Sequence, residues 1–442
     1  MPTLQEAHLR HARYYLNLLN DTDQTYRQGG KAIEVGLELL DLEWENIQIG
    51  QKWAERYSKS NGAAAEMCSD YPIAGGYILD LRMAPRERIG WLEAALVSAR
   101  RLQYQEAEGM HIGNLGVAYM DLGETKKAIE FHEQRLAIAR DLGDRRGEST
   151  VLGNLGIAYK NLGEAHKAIE YHEQALIISH ELKDRRSEAA DLGNLGNAYA
   201  DLGDARQAIK EFNQALVISQ ELGDLRGEGN TLGNLGQAYW AFGKNNQAID
   251  FYEQALSIDR KIGDRRGEAA DLSNIGNIYT ELGELQEAMK FLDEALEVIR
   301  EIGDRRNEGA VLSNLGLSYE AAGDASRSIE FFRQALDIAR EIADPRGMTN
   351  ALGNLGLVYY NLGQSSNAAN YYKQALNIAE SSDSPREEAF LHWNISLALE
   401  ETGDYEAITN HAERALAIFE KIGDLHADKV RKQLTVWRNA RR

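Results

Sequence analysis

Leu152-Gly153-Asn154-Leu155-Gly156-Ile157-Ala158-Tyr159-Lys160-Asn161-Leu162-Gly163 decides the fold, because sliding it along the chain in steps of forty residues matches the chain to itself again and again. Gly116, Gly156, Gly196, Gly236, Gly276, Gly316 and Gly356 keep one place in that frame. Asn114, Asn154, Asn194, Asn234, Asn274, Asn314, Asn354 and Asn394 keep another. Self-similarity at such a period marks stacked supersecondary units, none of which can bury its apolar face alone.

Within one unit, Gly143-Asp144 closes one helix and opens the next: the glycine supplies positive φ and the aspartate an N-cap. A first helix, A, is expected from Arg145 to Asn161, a tight turn at Leu162-Gly163-Glu164, and a second helix, B, from Ala165 to Leu182. Pro345 and Pro385 fall at the first position of helix A, where a missing N–H costs nothing. Leu155, Gly156 and Tyr159 on A and Ala168, Ala175 and Leu176 on B form one apolar face each. The glycines and alanines are small, which lets paired helices approach closely. Each pair then borrows its core from its neighbours, giving an all-α, right-handed α-solenoid of antiparallel helix pairs.

The flanks are less regular. Residues 1–61 read as helical pieces over His8–Tyr26, Ile33–Leu40 and Leu42–Tyr57, with Asp41 as cap of the last and Trp44 and Trp53 as packing residues. Residues 62–104 read as a degenerate repeat: Gly76 stands forty residues before Gly116, Leu96 forty before Leu136, Ala74 takes the asparagine slot, and Pro85 starts its second helix. Eight forty-residue units fill 105–424, the last of which loses both signature glycines and the tyrosine. Residues 425–442 read as a capping helix over Leu425–Trp437 with a basic tail, Arg438, Arg441 and Arg442.

Composition narrows the function. Of 442 residues, 43% are hydrophobic and 27% charged, and the formal charge is −20, with a pI near 5.0 and a mean hydropathy of −0.48. Nucleic-acid and anionic-membrane surfaces need clustered Lys and Arg to displace counterions, so neither partner is expected. A single cysteine, Cys68, cannot form an intramolecular disulfide, and neither an 18-residue apolar run nor a signal-peptide pattern at Met1–Gln5 is present. The expected compartment is the cytoplasm.

The pattern Leu/Ile-Gly, Tyr three residues on, then Ala and Ala-Leu resembles the tetratricopeptide repeat in its forty-residue form, over about 62–424. The recurring Leu-Gly-Asn is most similar to the repeats of the Pins/LGN spindle-orientation adaptors. Tyr71-Pro72 through Arg86-Glu87-Arg88-Ile89-Gly90-Trp91-Leu92-Glu93-Ala94-Ala95-Leu96 is similar to the segment preceding such repeats in bacterial STAND/NB-ARC signalling ATPases. No Gly-x-x-x-x-Gly-Lys-Ser/Thr accompanies it, and the adaptors' G-protein-binding motifs are absent from the sequence as well.

The resemblance implies that the eight asparagines, on the inner side of helix A, hold the backbone of a bound peptide. The chemistry suits it, since one amide offers an acceptor and two donors to the C=O and N–H of an extended strand. With A helices roughly 10 Å apart and about 3.3 Å of rise per ligand residue, each unit meets about three residues and reads main chain rather than sequence. Mid-helix Asn costs roughly 0.6 kcal/mol against Ala, or about 5 kcal/mol over the set. The alternatives are that each Asn bonds a neighbouring helix and fixes unit spacing, or that duplication copied it passively. Gly113, Gly153, Gly193, Gly233, Ser273, Ser313 and Gly353 stand beside the asparagines, either leaving room for a ligand backbone or allowing tight packing of A helices.

Specificity would come from the variable groove-side residues one turn on: Val117, Ile157, Asn197, Gln237, Asn277, Leu317 and Leu357. A further turn along, Trp240 and Tyr360 are the expected anchors, with packing on helix B as the alternative for Trp240. A second ladder, Arg146, Arg186, Arg226, Arg266, Arg306, Arg346 and Arg386, lies at the groove rim, where guanidiniums could grip carboxylates of an acidic ligand. Its structural alternative is service to the C-terminal carbonyls of the preceding helix B. LGN adaptors also carry arginines four residues before the Asn, where this chain has Thr150, Ala190, Asn230, Ala270, Ala310 and Asn350.

His132 and His172 recur at a core position filled elsewhere by Phe212 and Tyr252, so they read as packing residues rather than metal ligands. No metal, cofactor or catalytic constellation is expected. The function expected is a non-enzymatic scaffold or sensor holding an extended peptide or a partner's tail, with self-association not indicated. The alternatives are a sensory arm working with a separate STAND-type NTPase through residues 1–104, and a peptide-pheromone-responsive regulator.

Overall fold

The computed structural model describes residues 3–381 and 384–440; the basic-tail residues Arg441 and Arg442 lie outside them. The described residues are helical almost throughout and contain no strand. Their contacts divide the chain into two units, Met1–Asp224 and Leu225–Arg442.

The first unit opens with five helices: α1 (Leu4–Arg27), α2 (Lys31–Tyr57), α3 (Gly62–Ala74), the short α4 (Ile78–Arg82) and α5 (Pro85–Leu102). Thr3 and Glu6 form a capping box at the start of α1. α3 packs on both α1 and α2, and the Tyr71 hydroxyl donates to the Ala12 carbonyl at 2.7 Å. Trp44 stacks on Trp91, with ring centroids 5.9 Å apart.

Two expectations fail here. Ile33–Leu40 and Leu42–Tyr57 are one continuous helix, and Asp41 caps nothing; its carboxylate instead accepts from the Arg82 guanidinium at 2.7 Å. In the degenerate repeat, α3 ends at Ala74, so the asparagine slot is a helix terminus and Gly76 lies in the turn before α4. The forty-residue frame holds for α5 and not for the end of α3.

Three regular pairs complete this unit: α6 (Gln105–Asp121) with α7 (Thr125–Leu142), α8 (Arg145–Asn161) with α9 (Ala165–Glu181), and α10 (Arg185–Asp201) with α11 (Ala205–Leu222). The second unit holds α12 (Leu225–Ala241) with α13 (Asn245–Ile262), α14 (Arg265–Leu282) with α15 (Leu285–Glu301), and α16 (Arg305–Ala321) with α17 (Ala325–Glu341). After them come α18 (Pro345–Asn361) with α19 (Ser365–Ser381), α20 (Pro385–Leu399) with α21 (Tyr405–Ile422), and α22 (His426–Ala440). Each unit is a stack of antiparallel helix pairs in which a pair packs on the next.

The turns follow the sequence. Gly143 closes α7 at φ 68°, and Asp144 accepts from the Gly147 N–H at 2.9 Å to cap α8. Asp184, Asp264 and Asp304 cap their A helices in the same way. The signature glycines are small because a large helix B side chain lies on each, a ring everywhere but at Gly276, where it is Leu292: a Cβ on Gly156 would stand 2.5 Å from the His172 ring, and one on Gly316 2.7 Å from Phe332. His132 and His172 are fully buried ring fillers, and burial lowers both pKa values to about 4, so they are neutral. The recurring tyrosine stacks on helix B as well, Tyr159 on Tyr171 at 5.3 Å.

A buried glutamate in the first turn of helix A ties successive helices together. Glu148 receives Arg140 Nε of the preceding helix B at 2.8 Å and Arg145 Nη1 of its own helix at 2.6 Å, while Arg145 also reaches Glu181 on α9. Arg300 and Arg305 do the same for Glu308, and Arg260 and Arg265 for Glu268. Taking a carboxylate out of water is tolerable only when paired in this manner. At the other end, Trp437 of α22 packs on Trp393 and its indole N–H donates to Glu400 at 2.9 Å. Among the described residues no helix is long and apolar enough to cross a membrane.

Candidate functional site

Because Leu155 and Gly156 and their counterparts face helix B, the asparagine just before them is turned toward the edge where successive A helices adjoin. Asn154, Asn194, Asn234, Asn274, Asn314, Asn354 and Asn394 are half-buried and Asn114 is exposed. Among the described residues only the Asn314 amide is engaged within the protein, donating to Ser273 Oγ at 3.0 Å. The small neighbours are not explained by tight packing: a Cβ on Gly193 or Gly353 would meet nothing within 4 Å.

In the second unit, α16, α18 and α20 line one groove and the C-terminal half of α17 backs them. They enclose a groove of about 600 Å³ that brings Asn314, Asn354 and Asn394 together with Arg306, Arg346, Leu317 and Leu357. Its floor is apolar, from Ile338, Ile342, Phe390 and Leu391, while Asp344 and Glu387 add two carboxylates. Arg266, Asn274, Asn277 and Asn314 line a smaller hollow of about 180 Å³ between α14 and α16. In the first unit Asn114 lines a pocket with Trp91, Leu92 and Val117.

Of the variable positions, Ile157, Leu317 and Leu357 are apolar side chains partly open to solvent, Gln237 is exposed, and Asn197 is half-buried. Tyr360 is 38% exposed. Trp240 differs: it packs against the core of the second unit, and its indole N–H donates to Glu281 at 2.7 Å.

The arginine ladder is exposed, and its partners are not the helix B carbonyls considered from the sequence. Arg146 pairs with Asp184 at 3.5 Å, Arg266 with Asp304 at 3.1 Å, Arg306 with Asp344 at 4.0 Å and Arg386 with Asp424 at 3.0 Å, each reaching the N-cap aspartate that follows in the frame. Such pairs are weak, and Arg266 keeps 74% of its side chain in solvent. Arg346 has no such partner among the described residues, because Ser384 takes the aspartate's place. Arg186 is exposed, and Arg226 acts electrostatically on the buried Asp259.

Three buried carboxyls near the asparagines were not read from the sequence. Asp191 on α10 accepts from Ser179 Oγ at 2.6 Å, and burial raises its pKa to about 6. Asp271 on α14 has no donor for Oδ2; burial, then the charges of Asp259 and Asp264, raise it to about 8. Asp259 itself is raised to about 6, chiefly by burial. The apolar floor was missed too, although its signal, the isoleucine recurring in helix B as Ile178, Ile218, Ile258 and Ile338, was in the frame.

Several solved structures share this architecture. The chain is similar to a signal transduction ATPase with numerous domains and a tetratricopeptide repeat sensor from Pyrococcus horikoshii, at 15% identity over 98% of this chain and 68% of that one, with a TM-score of 0.58. It is similar to the apo form of the quorum sensor NprR from B. thuringiensis, at 17% identity over 85% of this chain and 99% of that one (TM-score 0.54). It is also similar to a Rap protein complexed with Competence and Sporulation Factor, at 14% identity over 84% and 98% (TM-score 0.52). No curated protein matches the sequence. The family model described as Tetratricopeptide repeat matches residues 105–179, 187–261, 268–341 and 347–421, well over half of the chain. With the period, the helix pairs and the glycine-on-ring packing, that match makes the chain a member of the tetratricopeptide repeat family.

Proposed function

We propose that the protein is a non-enzymatic binding scaffold or sensor that holds an extended peptide along its A helices, through asparagine amides directed at the ligand's main chain. The observation that carries this reading is that Asn314, Asn354 and Asn394 line one groove, with the Asn354 and Asn394 amides free of protein partners. An amide left half in water at no structural gain, at a helix position where Asn is unfavourable, is accounted for by a ligand that uses it. The apolar floor and Leu317 and Leu357 supply contact area, and the arginines at the rim favour acidic side chains near the ends of the bound segment. Fold-level likeness to a quorum sensor and to a Rap protein that was crystallised with a signalling factor fits this class of ligand.

The test is a random-peptide library panned against the full chain, followed by affinity measurement on the peptides recovered. Changing Asn274, Asn354 and Asn394 together to Ala leaves the circular dichroism unchanged and weakens those peptides by more than about tenfold. Unchanged affinity would make the ladder structural.

A second reading, a sensory arm that docks on a separate ATPase, is favoured by the exposed apolar side chains of α2, where Leu42 is 76% and Ile49 52% exposed. Leu42→Ser with Ile49→Ser would then abolish capture of the ATPase by the tagged chain, and the asparagine triple variant would not.

A further inference from the structure

Glu388 occupies the frame position of Glu148, Glu268 and Glu308, each of which is neutralised by two arginines. In its own unit both arginines are gone: the place of Arg140 and Arg300 is taken by Glu380, and that of Arg145 and Arg305 by Pro385. The frame changes at a third place, where Leu152, Leu272, Leu312 and Leu352 give way to His392. Three independent departures thus remove two cations and add a carboxylate and an imidazole around one glutamate.

They also converge in space. Glu380 at the end of α19, and Glu388 and His392 one turn apart on α20, each offer a ligand atom within 4.8 Å of the others. His392 is 1% exposed and its Nε2 has no hydrogen-bond partner, although it lies 3.9 Å from Glu388 Oε1. Its other nitrogen, Nδ1, is 2.8 Å from His411 Nδ1, a contact that fixes the ring and, with His392 as donor, leaves the Nε2 lone pair facing the two carboxylates. The Arg414 charge acts on both His392 and His411, and Lys373 on His411, yet among the described residues no lysine or arginine pairs with Glu380 or Glu388.

We propose that Glu380, Glu388 and His392 form a site for a divalent first-row transition metal of the Zn²⁺ class, which takes the place of the missing guanidinium pair and joins α19 to α20. One imidazole nitrogen with two carboxylate oxygens suits such an ion, whereas Mg²⁺ and Ca²⁺ favour all-oxygen shells. Ligand atoms around a tetrahedral zinc stand roughly 3.3 Å apart, from metal–ligand distances of about 2.0–2.2 Å. The half-buried Glu388 and the exposed Glu380 supply the contraction by rotamer changes, and water completes the coordination.

The experiment is calorimetric titration of ZnCl₂ into the untagged full chain after EDTA dialysis, with hydrogen exchange on α19 and α20. The expected result is saturation at one ion per chain and slowed exchange in those helices, with no response to MgCl₂. Glu380→Arg restores the residue of the regular repeat and His392→Leu restores its leucine; both keep the helical circular dichroism and weaken zinc by more than about tenfold. Glu388→Gln does likewise. Failure to bind one equivalent, or binding that all three variants leave intact, overturns the site, and neither outcome touches the peptide groove.

Discussion

Ser179 and Asp191 in the first unit, and Asp259 and Asp271 in the second, fill equivalent places eighty residues apart, and only the first pair is chemically at rest. In both, the A-helix aspartate lies against the small residue preceding a ladder asparagine: Asp191 Oδ1 would be 3.8 Å from a Cβ on Gly153, and Asp271 Oδ1 3.5 Å from one on Gly233. Asp191 accepts a hydrogen bond from the Ser179 hydroxyl of helix B at 2.6 Å, while Asp271 faces the charge of Asp259 there. Equivalent helical places therefore carry different electrostatics, and the exchange of Ser179 for Asp259 on helix B distinguishes them. Repeat architecture permits this, because each unit's stability is set by itself and its neighbours rather than by the whole chain.

The largest expected effect is on pH dependence. Asp271 is held at about 8 in the folded protein against 3.8 for an ordinary aspartate, so its stabilising contribution is complete only below about pH 4 and is lost as the pH rises toward 8. Asp191, at about 6, has made its whole loss by then. Asp259, Asp264, Glu268 and the Arg226 charge surround the second site, and Asp259 ionises first. Between pH 6 and 8 the opening free energy of α12–α14, measured by hydrogen exchange, falls by about 2–3 kcal/mol while that of α8–α10 falls by no more than about 0.5 kcal/mol. Equal slopes in the two regions would remove the distinction.

Exchanging the partner should remove it by design. Asp259→Ser gives Asp271 the hydroxyl donor that Asp191 has, flattens the slope between pH 6 and 8, and raises the stability of α12–α14 at pH 8 by about 2 kcal/mol. The converse, Ser179→Ala, leaves the buried Asp191 without its donor. It costs α8–α10 about 1–2 kcal/mol at neutral pH and moves the titration of Asp191 upward, read by the same exchange profile.

How far the sequence carried this molecule differs between its parts. The forty-residue period was sufficient for the helix boundaries of α8 and α9, the caps at Asp144 and Asp184, and the packing role of His132 and His172, because each depends on residues within one unit. Asp41 was misread as a cap because its partner, Arg82, lies on another helix forty-one residues away. Gly76 fits the frame by number and not by place, since α3 stops at Ala74 and α4 intervenes. The arginine ladder was legible as a row, yet its aspartate partners were not, because spacing along one helix says nothing of the next unit. The buried acids escaped for the same reason: Asp259 and Asp271 look like surface aspartates until α13 is laid on α14.

The smallest expected effect separates structure from function at the same two places. Gly153→Ala and Gly233→Ala each remove a mid-helix glycine, and each new Cβ meets the neighbouring aspartate at ordinary contact distance, so stability rises by about 0.5–1 kcal/mol in thermal melts. The gain is smaller at Gly233, where the methyl comes closer and further desolvates a carboxyl whose Oδ2 already has no donor. If these glycines leave room for a ligand backbone beside Asn154 and Asn234, the stabilised variants bind library-derived peptides more weakly than the parent. A variant that gains stability and loses no affinity shows that the space beside the asparagines is not occupied by the ligand, and the groove reading then has to rest on α16, α18 and α20 alone.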